Sequence, residues 1–176
     1  MARLENLVGA QALALTDRLL AAGDGPEAGG SESERAALVT LLAHPGQPVS
    51  WLGEVLALTS SGVTRLVDRL EVAGLVTRTT GTDARRRTVE LTGAGRRRAR
   101  GVLRARCSAM EEALAPLTRR DRTELERLLD LVVGGLAEDR VPAMRVCRMC
   151  DRPACSSTGR ACPLEHATTS DDRPGQ

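Results

Sequence analysis

The chain has 176 residues and a formal net charge of +2, with 25 basic residues, all of them arginine, against 23 acids. It contains no Phe, no Tyr and a single Trp, which excludes a single-strand nucleic-acid binder built on aromatic stacking and argues against an aromatic-lined small-molecule pocket. Hydrophobic residues reach 41%, mostly Leu and Ala, which suits a helical protein with a real core. No apolar run approaches the ~20 residues of a membrane span. The opening MARLENLVGAQ lacks the apolar core and cleavage site of a signal peptide. The expectation is a cytoplasmic protein with no membrane partner. In that compartment, five Cys read as metal ligands or redox thiols rather than disulfides.

Leu4, Val8, Ala12, Leu15 and Leu19 form one apolar stripe and predict a helix over 3–22. GDGPEAGG breaks it. Ser31-x-x-Glu34 is a capping box that opens a second helix through Leu38, Leu41 and Leu42, ended by Pro45-Gly46. A short helix over 50–57 buries Leu52, Val55 and Leu56. Leu58-Thr59 then turns the chain, and Thr59 caps a helix over 60–73 stopped at Gly74. Beyond Gly74 the period changes. Residues 75–79 and 88–91 are short and rich in Val and Thr, with turn chemistry at Gly81 and Asp83 between them, which predicts a β-hairpin. Thr92 caps a long helix to about Ala115, with a seam of Leu103, Cys107, Met110, Leu114 and Leu117. A last helix over 120–137 shows Leu125, Leu128, Leu129, Val132, Val133 and Leu136 on one face. In that seam Cys107 reads as a small buried hydrophobe, and His44 as a helix-end cap.

The fold class expected is mainly α with a small β-hairpin wing. Two short helices, a tight turn and a hairpin spell a winged helix-turn-helix, with a dimer formed by the N- and C-terminal helices. The charge distribution agrees, since residues 60–106 hold twelve Arg against four acids and the rest of the chain is net acidic. Such a basic block is where a polyanion binds. In the helix over 60–73, Val63, Leu66, Val67 and Leu70 pack inward. Ser60, Ser61, Thr64, Arg65 and Arg69 then face out, with small hydroxyls at the end that would enter a major groove. Arg65 can offer its guanidinium fork to a guanine edge. Arg85, Arg86 and Arg87 beside the hairpin turn repel one another and gain nothing internally, which suits phosphates or a minor groove. Arg78 at the hairpin base reads as a phosphate contact, and Asp83 as an acid that shapes the wing.

The segments SSGVTRLVDRLEVAGLVTR and TDARRRTVELTGAG resemble the MarR family of transcriptional regulators. The family's wing pattern, Asp-x-Arg followed by Leu-Thr-x-x-Gly, is met by Asp83, Arg85, Leu91, Thr92 and Gly95. The resemblance covers about residues 4–138. It implies a homodimer on double-stranded, roughly palindromic DNA, with Arg85 entering the minor groove. The chain departs from the family in a short Gly-rich link after the first helix, in its lack of aromatics and in a Cys-rich tail. The first two speak against the family's usual aromatic ligand pocket, and no effector is legible. The dimer also follows from the apolar stripes on the terminal helices, which exceed what one small winged helix can cover.

Four Cys follow the last helix as Cys147-x2-Cys150-x4-Cys155-x6-Cys162. Cys-x-x-Cys lets a tight turn aim two thiolates at one metal ion, and two more complete a four-ligand set. Pro153, Gly159 and Pro163 suit a knuckle rather than a helix. Nearby Arg residues can offset the charge of a zinc–thiolate centre, and His166 is a substitute ligand. Zinc is the first reading; an iron–sulfur cluster, echoed by Cys162-Pro163, and free or reversibly oxidised thiols stay open. The segment is short and polar, so ligand bonds rather than a core are expected to fix it. Catalysis is not expected. Cys150 with His166 lacks a third orienting group, and Cys147/Cys150 lacks the βαβ setting of a redox pair.

The domain reading is a winged-helix DNA-binding and dimerisation unit over 1–140, a Cys-rich metal-binding extension over 141–166 and a disordered tail over 167–176. The function expected is a sequence-specific binder of double-stranded DNA, a homodimeric transcriptional regulator acting as a repressor. The other reading is a metal- or redox-responsive protein whose helices mediate protein contacts.

Overall fold

The computed structural model describes residues 2–23, 25, 28–80, 87–155, 159 and 161–168. Helix α1 spans Arg3–Ala22 and buries none of its residues. Helix α2 (Glu32–Ala43) opens on the expected capping box, with Ser31 accepting from the Glu34 backbone while the Glu34 carboxylate accepts from the Ser31 N–H. Strand β1 (Gln47–Pro48) leads into α3 (Val49–Leu56). Ala57 then takes a left-handed conformation, φ 54°, and makes the tight turn. Helix α4 (Ser60–Val72) starts at the Thr59 cap. The wing is β2 (Val76–Thr80) paired antiparallel with β3 (Arg87–Leu91). Helix α5 (Gly93–Leu114) begins at the Thr92 cap, and α6 (Arg119–Gly134) at a Thr118–Asp121 capping box.

The hairpin is part of a three-stranded sheet of order β1-β3-β2. β1 has two residues, with Gln47 opposite Val89 and Pro48 opposite Thr88. It escaped the sequence reading because two residues carry no alternation, and Pro48 is tolerated only because β1 is an edge strand. One core joins the elements. Leu38 and Leu41 of α2, Leu52 of α3, Val63, Leu66, Val67 and Leu70 of α4, and Val76 and Val89 of the wing are all buried together. Helix α4 and the wing are therefore set by the same apolar contacts.

The C-terminal third differs from expectation. The last helix stops at Gly134, and a separate helix α7 (Arg140–Val146) follows. Pro142 is the third residue of α7, where a missing N–H breaks no intrahelical bond. Two four-residue helices, α8 (Arg152–Cys155) and α9 (Glu165–Thr168), complete the described chain. The tail has a core of its own, contrary to its polar composition: Ala137, Ala143, Leu164 and Ala167 are buried together, with Val133 of α6 against them. Ala167 and Thr168 belong to α9, where the disordered tail was expected to begin; residues 169–176 lie outside the described residues. Cys107 is exposed rather than buried, its thiol 3.8 Å from the Glu111 carboxylate one turn on. The other seam residues, Leu103, Met110, Leu114 and Leu117, are half-buried.

Candidate nucleic-acid interface

Burial of Val63, Leu66, Val67 and Leu70 fixes the rotation of α4 about its axis. Ser60, Ser61, Thr64, Arg65 and Arg69 consequently lie exposed on the opposite face, as the spacing predicts. The first turn is pinned locally. The Gly62 N–H donates to Thr59 Oγ1 at 3.2 Å, the Thr59 and Ser61 hydroxyls lie 3.3 Å apart, and Thr64 Oγ1 donates to the Ser60 carbonyl at 2.8 Å. Small hydroxyl side chains there leave room for a duplex to approach the helix end. Among the described residues Arg65 makes no ion pair, so its guanidinium is available to a base edge. Arg69 is held by Glu34 of α2 at 3.0 Å. Burial raises the Glu34 pKa, but the Ser31 backbone N–H and Arg69 outweigh it and hold the carboxyl below its ordinary value.

Arg78 has partners within the chain that its sequence position does not announce. Its guanidinium donates to Asp68 and to Glu71, each at 2.6 Å, and its backbone N–H donates to Glu71 Oε1 at 3.2 Å. The hydrogen bond to Asp68 is the largest influence raising the Arg78 pKa. Arg78 is thereby a strut that ties the wing base to α4. Asp83, Arg85 and Arg86, together with the Arg87 side chain, lie outside the described residues; the Arg87 backbone pairs with Thr80.

One residue near this face was not anticipated. Arg145 of α7 donates through Nε to the Glu54 carbonyl at 3.0 Å, in the last turn of α3. A cation there satisfies a helix-end carbonyl and complements the dipole. The same side chain lines a cleft shared with Ser50, Thr59, Ser60 and Thr64, between the two helices of the helix-turn-helix. No sequence pattern links positions 91 residues apart.

The four tail cysteines come together. Cys147, Cys150, Cys155 and Cys162 form a wall between two cavities, one towards α5 and α6 and the other towards α2 and α3. The Cys150 thiol interacts with Cys147 and Cys155, and Cys155 with Cys162. The hydrogen bond with Cys147, then burial, pushes the Cys150 pKa far up, while the hydrogen bond from Cys150 pulls Cys147 down. Burial and the charge of neighbouring Cys150 and Cys162 push Cys155 up to about 11. The thiols run in a chain of neighbours; among the described residues no three or more His, Cys, Asp or Glu side chains are set to hold a metal ion as they stand. Arg106 acts electrostatically on Cys150, and Arg152 on Cys147. His166 lies exposed on α9. His44 is the C-cap residue of α2 through its backbone N–H, which donates to the Thr40 carbonyl, while its ring lies edge-on to Trp51 at 5.4 Å and Nε2 accepts from Arg152 at 3.1 Å. Burial, then Arg152 and Arg140, lower its pKa.

A separate cavity of about 240 Å³ lies between α1, α2 and α5. Arg35, Arg106, Val102 and Met149 contribute to its wall, and no aromatic side chain does.

Residues 31–87 match the sequence model of the MarR family. A crystal structure described as a probable transcriptional regulator from Pseudomonas aeruginosa is 31% identical, covering 74% of this chain and 99% of that one, with a TM-score of 0.56. A MarR family protein from Bacillus stearothermophilus is 26% identical over 73% of this chain and 89% of its own, with a TM-score of 0.66. A Mycobacterium tuberculosis MarR family protein in complex with DNA is 26% identical over 75% of this chain and 98% of its own, with a TM-score of 0.63. None of the curated proteins matches the chain. Among the described residues no helix is long and apolar enough to cross a membrane.

Proposed function

The chain belongs to the MarR family and is a DNA-binding transcriptional regulator; from that premise we propose that it works in the cytoplasm as a homodimeric repressor of double-stranded operators. The observation that carries the DNA reading is the exposed Ser60, Ser61, Thr64 and Arg65 face of α4, locked by its buried opposite face. Arg65 reads a base edge in the major groove, while the hydroxyls and the helix end take phosphates. Arg69 adds positive charge one turn on. In the wing, Arg85 enters the minor groove, Arg86 and Arg87 take flanking phosphates, and Asp83 shapes the tip. The dimer reading is supported by the apolar surface left open: α1 buries nothing, Leu4 and Leu13 are 70% and 72% exposed, and Leu131 on α6 is 67% exposed. A second copy covering both terminal helices removes that surface from water and places two recognition helices on two half-sites. In the tail, Cys147, Cys150, Cys155 and Cys162 bind one zinc ion.

The experiment is selection of duplex DNA by the full-length protein, followed by affinity measurement across salt concentrations. Specific binding with a steep salt dependence is expected. Arg65→Ala should cost about 1–3 kcal/mol on the selected sequence and narrow its advantage over random duplex. Equal, weak binding of every duplex by the wild type would leave the helical unit to protein contacts instead.

A further inference from the structure

The Cys-rich extension is not an appendage hanging from the last helix. It is fastened to the DNA-binding unit at several separate points. Arg145 donates to the Glu54 carbonyl of α3. Thr40 Oγ1 of α2, itself buried, donates to the Arg148 carbonyl at 3.1 Å. Arg152 reaches His44 at the end of α2. Met149 packs beside Val39 and Val102. These anchors alternate with the thiols along the chain, so that Arg145 precedes Cys147, Arg148 and Met149 lie between Cys147 and Cys150, and Arg152 falls between Cys150 and Cys155. Fixing the sulfur atoms therefore restrains the backbone segments that carry the anchors.

We infer that the four cysteines form a regulatory zinc site whose occupation holds α7 against α3 and keeps Arg145 on the helix-turn-helix, so that zinc raises affinity for DNA. This rests on the reading of Cys147, Cys150, Cys155 and Cys162 as a zinc set. Four thiolates on one Zn²⁺ leave a net charge of −2, with a proton released to solvent for each thiol that ionises. Arg106 and Arg152, already within electrostatic reach of the sulfurs, offset that charge. The thiols now lie as a chain of neighbours, and drawing them onto one ion restrains the turn 147–150 and the α8 start together. Arg145, two residues before the first ligand, is the positioning residue. With its guanidinium on the Glu54 carbonyl it steadies the end of α3, whose following turn sets the entry of α4. Met149 and Arg148 also reach the cavity between α1, α2 and α5, so the same restraint extends to the face away from DNA.

The test uses full-length protein, stripped by chelator under reducing conditions and reloaded with Zn²⁺ alone. Three quantities are read: zinc per chain with the number of protected thiols, affinity for the selected duplex, and amide hydrogen exchange over residues 49–64. The expected result is one zinc per chain with four thiols protected, a roughly tenfold gain in DNA affinity, and slower exchange over 49–64. Arg145→Ala should keep the zinc and lose the gain, and Cys150→Ser should lose both. One zinc per chain with unchanged affinity and exchange would overturn the coupling and leave the zinc site standing. No zinc uptake would overturn the zinc set and the coupling with it. A brown, iron-containing protein purified anaerobically would place a cluster there instead, and formation of disulfides on mild oxidation without metal uptake would place a thiol switch. A full gain of affinity in Arg145→Ala would overturn the route through α3.

Discussion

Arg78 at the base of the wing donates to Asp68 on the recognition helix at 2.6 Å, while its other guanidinium nitrogen is taken by Glu71. The guanidinium therefore bridges two elements that must present to DNA together. Both carboxylates are more than a third exposed, so solvent screens the pairing and its effect on stability is small. Arg78→Ala is expected to cost about 1 kcal/mol or less in urea unfolding at low salt, with the difference shrinking as salt is raised. DNA affinity should weaken alike on all sequences while the slope of log K against log salt stays unchanged. A slope flatter by about one unit would mean that Arg78 neutralises a phosphate after all.

Glu34 serves two partners, the Ser31 N–H and the Arg69 guanidinium. Despite the upward pull of burial, its pKa is lowered in the folded protein. A carboxyl with a depressed folded pKa stabilises the protein fully above its unfolded value, and that contribution is lost as pH falls through the folded pKa. Glu34→Gln should be destabilised by about 1 kcal/mol at pH 7, and the gap to wild type should close as pH falls through the lowered folded pKa of Glu34. Stability curves for the two proteins that run parallel down to pH 3 would show that the charge of Glu34 does not matter.

The winged unit was legible because its signals are local. The caps at Ser31, Thr59 and Thr92 and the 63-66-67-70 spacing each decide structure within a few residues. What sequence could not give depended on long-range pairing. Arg78 looked like a free cation because Asp68 and Glu71 come near it only when the wing folds back on α4. Cys107 fell in a correct apolar period, but the period says which face is apolar and not what covers it. The tail looked coreless because Leu164 and Ala167 find Ala143 and Ala137 only through a reversal of the chain. Arg145 was invisible for the same reason.

The open apolar faces of α1 and α6 lead to a prediction about assembly. Leu13 and Leu131 are exposed in one chain and touch no core cluster among the described residues. A charge at both sites leaves the fold of one chain intact but opposes burial between two. The double variant Leu13→Asp with Leu131→Asp should sediment as a monomer at micromolar concentration with an unchanged helical spectrum. Its affinity for a two-half-site duplex should fall at least a hundredfold, since each half-site is then bound alone. A dimer of undiminished stability in that variant would move the interface elsewhere.

Gly95 shows why the Leu-Thr-x-x-Gly stretch ends in glycine. Thr92 Oγ1 donates to the Gly74 carbonyl at 2.7 Å and accepts from the Gly95 N–H at 3.0 Å, while the Thr92 N–H donates to the Leu75 carbonyl at 3.0 Å. The start of the wing is thereby pressed onto the first turn of α5. A Cβ on residue 95 would stand 1.9 Å from the Leu75 carbonyl oxygen and 3.2 Å from a Leu91 methyl. The oxygen is backbone and already bonded to Thr92, so it cannot swing aside without pulling β2 from the cap. Gly95→Ala is therefore expected to cost about 3 kcal/mol, measured by urea unfolding, and to weaken DNA binding through the displaced wing. Gly93 is the matched control, two residues earlier in the same turn. Its Cβ would meet nothing closer than an Arg97 guanidinium nitrogen at 3.7 Å. Gly93→Ala should be neutral or stabilise by a few tenths of a kcal/mol, because alanine has the better helix propensity. Equal stability of the two variants would show that β2 and α5 approach less closely than described, and that glycine at 95 answers some other demand.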